Sequence, residues 1–393
     1  MSPRLVFALY SDCLFPPDQC DEQRPRCITC TMTERDCNYA SDLAPTASAF
    51  ASPAASAASS VSSPDPGHGD VTLPQLPQLT EVSFQPVPTE SSVDADVNIT
   101  HMELLINFSI EDQAPYISKT LREPGTRLVI RYGLEYPYLL YVILAISARH
   151  LAVQKPDKVD FYLQHAFQLQ TRAISLFNET RVEVNRATCV PLLLFSSTLS
   201  RHLLTDVLAR RDSDLNVFMD HFMASAQMHT GIRAVAHAAW PLLLESDLSP
   251  YMVIGRELGH KPIRGSECDR IRDFVSSPAA DLAEPERATY LEAIRLIQIG
   301  IDETTRQDAD ERYHMIFTWA VMVSPEFTEL LAQRQPTALA VFAHYALLLH
   351  RGRELWQVGD AGAYLIPLIA RHLGPEWDHC LSVLRESLTA ASS

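Results

Sequence analysis

Beyond about residue 98 the sequence predicts an all-α fold. Three observations carry that expectation. Apolar residues recur at three- and four-residue steps through one long segment after another. Proline, asparagine, aspartate and glycine stand where helices would start and stop. No run alternates apolar with polar residues, and no Asn-Gly or Asp-Gly pair marks a hairpin.

Taken in order, Pro137 opens PYLLYVILAISARHLAVQ, which suits a mostly buried helix with proline in its first turn. Asp157 opens DKVDFYLQHAFQLQTRAISLFN, where Phe161, His165, Leu169, Ala173 and Leu176 recur at helical steps. Asn185 is a candidate cap for NRATCVPLLLFSSTLSRHLLTDVLARR, with Pro191 either kinking that helix or setting its true start. Asp214 begins DLNVFMDHFMASAQMHTGIRAVAHAAW. Further amphipathic runs cover 284–305, 312–333, 336–350, 360–373 and 375–388, and Gly374-Pro375 separates the last two.

The 393 residues are 47% hydrophobic, enough for one large core or two smaller ones. A formal net charge of −16 argues against a protein that coats nucleic acid or anionic membrane along its whole length. It leaves room for a small DNA-reading module on an acidic body. The apolar run from Leu5 to Tyr10 falls short of a signal-peptide core of roughly 7–15 residues. Tyr136 to Ala148 falls short of the roughly 20 residues of a membrane span. The expectation is an intracellular chain with no membrane span. In such a chain the Asn-x-Ser/Thr matches at Asn98, Asn107 and Asn178 are chance, and the eight cysteines are thiols or metal ligands.

Composition divides the chain into three. Residues 1–40 hold five cysteines and too little apolar surface to fold without a metal or partner. Residues 41–97 are rich in Ala, Ser and Pro, and no Lys or Arg occurs between Arg35 and Lys119. That composition predicts a disordered linker, without the heptads of a coiled coil. Residues 98–393 are the helical body.

In the head, Cys20, Cys27, Cys30 and Cys37 follow C-x6-C-x2-C-x6-C spacing. Thiolates two residues apart grip one metal ion from a single turn, and a six-residue excursion returns the chain to the same site. Zinc is the expected metal. The segment CDEQRPRCITCTMTERDCNY resembles the second half of the fungal binuclear zinc cluster, in which six cysteines hold two zinc ions. Cys20, Cys27, Cys30 and Cys37 match its last four positions, and Asp21-Glu22 and Pro25 match the context. Cys13 lies where the resemblance places the second ligand, and Tyr10 stands at the position of the first. Between Cys13 and Cys20 the family carries a basic helix that enters the DNA major groove. Here the residues are Leu-Phe-Pro-Pro-Asp-Gln. Residues 1–40 have four basic side chains (Arg4, Arg24, Arg26, Arg35) against six acidic ones (Asp12, Asp18, Asp21, Glu22, Glu34, Asp36), a net of −2. A head without cations there should bind DNA weakly. Two readings stay open: a misjoined exon before Cys20, or a head that has lost DNA binding.

The body resembles the fungal transcription-factor domain of sterol-uptake-control proteins. HMELLINFS (101–109), PYLLYVILAISARHLAV (137–153), YLQHAFQLQTRAISLFN (162–178), Met228 to Arg233, ALAVFAHYALLLHRGRELWQVG (338–359) and LGPEWDHCL (373–381) carry the likeness. It implies a regulator of a metabolic gene set, acting in the nucleus on promoter DNA. It also implies a helical regulatory bundle that senses a sterol or another apolar ligand in some members. A homodimer is a further expectation. Trp319, Met322, Phe327, Phe342, Tyr345, Leu348 and Trp356 either enclose such a ligand or are packed core.

Enzyme signatures are missing: the sequence has no G-x-S-x-G, G-x-x-x-x-G-K-[ST], G-x-G-x-x-G or H-E-x-x-H. His150, His165, His202, His221, His229 and His237 fall singly on predicted helices, as structural histidines do. Cys189 and Cys380, in apolar surroundings, read as inert thiols.

Overall fold

A computed structural model describes residues 97–111, 117–180, 183–306 and 312–390. The predicted head (1–40), and the linker (41–97) up to its last residue, lie outside the described residues. The body is all-α: fourteen helices, with no strand among the described residues. They are α1 (Ile99–Ile110), α2 (Lys119–Glu135), α3 (Pro137–Gln154), α4 (Val159–Thr180), α5 (Cys189–Leu208), α6 (Leu215–Leu244) and α7 (Ser249–Leu258). After these come α8 (Asp269–Ser276), α9 (Glu284–Thr304), α10 (His314–Met322), α11 (Pro325–Ala332), α12 (Pro336–Arg351), α13 (Ala361–Leu373) and α14 (Asp378–Ala390).

Two helices that are apolar on every side organise the body, because such helices must be covered all round. The first is α3, with Pro137 at its start and Leu139, Val142, Ile143, Ala145, Ile146 and Ala148 fully buried. It is covered by α1, α2, α4 and α5. By length and composition α3 could cross a membrane, but about two thirds of it is buried inside the fold, which makes it a core helix. The second is α12, in which every residue from Ala338 to His350 is buried, enclosed by α9, α10, α11, α13 and α14. The 30-residue α6 spans two clusters. Leu215, Phe218, Met219 and Phe222 join the core around α12, while Ile232, Val235, Ala239 and Leu243 pack with α2 and the start of α5.

Several expected boundaries are met. Asp214 caps α6, its side chain accepting the Asn216 N–H at 2.8 Å. Asn185, the expected cap of α5, instead closes the turn just before it by accepting the Ala187 and Thr188 N–H groups; Thr188 is the N-cap, and Pro191 lies in the first turn of α5, where its missing N–H does no harm. One expectation is corrected: 312–333 is not one helix. The chain bends by 91° between α10 and α11, where Ser324 accepts the Phe327 N–H at 3.2 Å and Pro325 starts α11. Four helices had no individual prediction from the sequence, α1, α2, α7 and α8. α2 carries Pro124-Gly125 in its interior, a pair that reads as a turn, and α7 and α8 are only ten and eight residues long.

The segment 261–268 is held by a buried carboxylate rather than by a helix. Asp302 of α9 accepts the Arg264 and Gly265 N–H groups at 2.6 and 2.9 Å, and the Gln298 amide at 2.8 Å. Asp302→Ala leaves the Arg264 and Gly265 N–H groups unpaired, while the Gln298 amide keeps its bond to Glu267. It should lower stability by about 2 kcal/mol in denaturant titration and speed hydrogen exchange at Arg264 and Gly265.

Candidate functional site

The residues expected to surround an apolar ligand converge only in part. Trp319 of α10, Phe327 of α11 and Phe342, Tyr345 and Leu348 of α12 are all fully buried in the C-terminal core, with Met322 packed at its edge. Trp356 belongs elsewhere: it packs against the cluster around α3 and lies tilted against His150 with ring centroids 4.8 Å apart. The seven therefore do not form one lining. Within the block, Trp319 stacks on Tyr345 at 4.4 Å, Phe342 lies 5.7 Å from Tyr345, and Phe222 of α6 lies 4.7 Å from Phe342. The polar tips are used internally. The Trp319 indole N–H donates to Ala293 O at 3.1 Å, and the Tyr345 hydroxyl donates to Ile316 O at 2.8 Å. Rings that face one another and donate to backbone carbonyls have the geometry of packed core.

A cavity of about 750 Å³ opens between α2 and the α6–α7 corner. Leu121, Pro124, Leu128, Pro250 and Tyr251 give it apolar walls, and Glu123, Arg127, Arg131 and Asp247 add charge. The charges are paired, Arg127 with Glu123 at 2.5 Å and Arg131 with Asp247. Tyr251 ties the two walls together by donating to Leu121 O at 2.7 Å. Gly125 keeps the wall thin here, since a Cβ on it would lie 2.7 Å from the Tyr251 hydroxyl oxygen. The Ser246 hydroxyl is engaged with Leu243 O at 2.7 Å, and no histidine or cysteine lines the groove. The groove is open to solvent and mixes apolar walls with paired surface charges, and it holds no nucleophile paired with a base. Sequence reasoning missed it because one wall is the unpredicted α2 and the other lies over a hundred residues away.

The predicted metal ligands Cys13, Cys20, Cys27, Cys30 and Cys37 lie outside the described residues. Among the described residues, no group of three or more His, Cys, Asp or Glu is placed to hold a metal ion. Cys189, Cys268 and Cys380 are buried free thiols. Burial raises the pKa of all three, that of Cys380 to about 11, which keeps them protonated and unreactive. The described histidines are dispersed. His165 uses Nδ1 on Phe161 O and His237 is exposed, whereas His150 and His202 are buried with lowered pKa values, chiefly from desolvation. No protein-family profile matches this chain, and no characterised protein matches it.

Proposed function

We propose that this chain is a fungal-type transcription regulator of a metabolic gene set, for sterol uptake or biosynthesis or for a secondary-metabolite cluster. A zinc-cluster head is tethered to a helical regulatory body and works in the nucleus. The observation that carries the reading is the C-x6-C-x2-C-x6-C spacing of Cys20, Cys27, Cys30 and Cys37, with Cys13 seven residues before Cys20. Four soft thiolates at that spacing are a tetrahedral donor set for zinc, and zinc binding would supply the folding energy that a 40-residue head lacks. The all-α body supports the reading by its class. In this reading the α2–α7 groove is the surface to probe first for an apolar ligand or a partner segment.

A second reading rests on a specific observation. Leu14-Phe15-Pro16-Pro17-Asp18-Gln19 offers no cation for phosphate or base contacts, and on this second reading the body acts alone through a ligand or partner. A mobility-shift titration separates the two. The chain should bind promoter DNA weakly, and replacing residues 14–19 by an Arg- and Lys-rich segment should tighten binding about a hundredfold or more, with steep salt dependence. A replaced chain that still ignores DNA overturns the proposed role of the head.

A further inference from the structure

We propose that Ser213 is a phosphorylation site read by an arginine-directed protein kinase, and that its phosphate exchanges the ion pairs at the corner between α5 and α6. The inference rests on the helical body and not on the head. Arg210-Arg211-Asp212-Ser213 holds the only two adjacent basic residues in the chain, three and two places before a serine hydroxyl. Charge patterns around the acceptor decide which kinase takes it, and two guanidinium groups at that spacing suit a kinase whose recognition pockets are acidic.

The fold presents the motif. Residues 209–214 belong to no helix, since α5 ends at Leu208 and α6 begins at Leu215. Arg211, Ser213 and Asp214 are exposed, and Arg210 is half-buried. Ser175 makes the contrast. Arg172 stands three places before it, but Ser175 lies within α4 and its hydroxyl donates to Glu179 at 3.0 Å. A helix cannot enter a cleft that takes an extended chain, so the link at Ser213 is accessible where Ser175 is not.

Both arginines are already engaged, and weakly. Arg210 pairs with Asp212 through Nε at 2.8 Å and Nη2 at 3.2 Å, inside the link itself. Arg211 reaches across to α13, where it pairs with Asp360 and lies over the Tyr364 ring, 5.0 Å from its centroid. The two side chains are 38% and 37% exposed, and ion pairs so exposed shift an equilibrium by less than about tenfold. A phosphate brings about −1.5 to −2 charges and three acceptor oxygens, a better partner for an arginine than one carboxylate. It arrives one residue before Asp214, the cap of α6, where a helix N-terminus favours an anion. Asp212 and Asp214 on either side repel it, and Arg210 and Arg211 are the cations at hand to offset them. The arginines therefore turn from Asp212 and Asp360 to the phosphate, and the corner loses its ion pair to α13. In the transfer, Ser213 Oγ bonds to the γ-phosphorus of ATP as the bond from that phosphorus to the β–γ bridging oxygen breaks. The hydroxyl proton passes to the carboxylate base of the kinase, and ADP leaves.

The test incubates the folded full chain with magnesium-ATP and the catalytic subunit of cyclic-AMP-dependent protein kinase, and maps phosphate by mass spectrometry. Ser213 should be modified and Ser175 should not. Ser213→Ala should remove that product, and Arg210→Gln with Arg211→Gln should slow its formation at least about tenfold. In the phosphorylated chain, a phosphorus NMR titration should place the second ionisation of the phosphate below its ordinary value of about 6, and Arg211→Gln should raise it again. The site is overturned by a folded chain that leaves Ser213 unmodified, takes phosphate there only in denaturant, or takes it equally fast without the two arginines. A phosphate that titrates at its ordinary value overturns the exchange of ion pairs.

Discussion

Between pH 7 and pH 4.5 the body should lose about 5 kcal/mol of stability through two histidines of its C-terminal half, His314 and His344. His344 is fully buried and His314 half-buried, and desolvation of the rings pushes each pKa down to about 4, with the nearby Lys261 adding to the effect on His314. His344 gives the mechanism in atoms. Its Nδ1–H donates to Ala340 O at 2.8 Å, one turn back on α12, so the neutral ring presents a bare Nε2 to the core with no partner. Protonating Nε2 would bury a cation with nothing to accept its hydrogen. The unfolded chain takes up that proton near pH 6.5, and the folded chain resists until about pH 4. The unfolded state therefore binds more protons across this window, and stability falls as pH falls. His150, His202 and His350 shift in the same direction for the same leading reason. Denaturant titrations at pH 7, 6, 5 and 4.5 trace the loss, and a histidine variant separates the share of the rings from that of the acidic side chains. His344→Leu should flatten the curve by about 2 kcal/mol relative to its own value at pH 7. A stability flat from pH 7 to 4.5 would show that these rings are not buried neutral.

The second large effect is expected at Gly362, where α13 crosses α12. A Cβ at that position would overlap the Ala346 carbonyl oxygen and the His350 nitrogen, and would lie 2.7 Å from His350 Cα. These are backbone atoms of a helix buried on all sides, so the neighbour cannot turn aside as a side chain would. Gly362→Ala should cost about 3 kcal/mol as the two helices are forced apart, despite the gain of up to about 1 kcal/mol that alanine brings to a helix. Gly231, within α6, is the control, because an added Cβ there meets nothing within 4 Å. Gly231→Ala should stabilise by a few tenths to about 1 kcal/mol. Opposite signs for one substitution in two helices, read from melting curves, check the α12–α13 contact directly. Equal effects would mean that the two helices are not in close contact.

The parts of this fold that the sequence discloses are those where periodicity and capping agree. Helices α3 and α12 are apolar on all sides and begin at Pro137 and Pro336, and the start of α6 is announced by Asp214. Where local signals conflict with packing, the sequence misleads. Pro124-Gly125 reads as a turn, yet α2 runs through it against α3 and α5, pinned by the Tyr251 hydroxyl. Val323-Ser324-Pro325 sits inside an apolar run and hides a 91° bend. For the aromatic residues near the C-terminus, periodicity is the same whether they line a cavity or fill one. What distinguishes the two is a partner on another element, such as Ala293 O on α9 for Trp319. The groove is least legible, because neither of its walls carries a motif.

Zinc content bears most directly on the proposed role. The full chain, purified without chelator and analysed for bound metal alongside native thiol titration, should carry zinc. Its head cysteines should become reactive only when the metal is removed, while Cys189, Cys268 and Cys380 stay silent until the body unfolds. Cys27→Ser should release the zinc and leave the melting of the helical body unchanged. A chain free of zinc, with Cys13, Cys20, Cys27, Cys30 and Cys37 reacting at once, would contradict the zinc-cluster head and leave the helical body as the place to look for function.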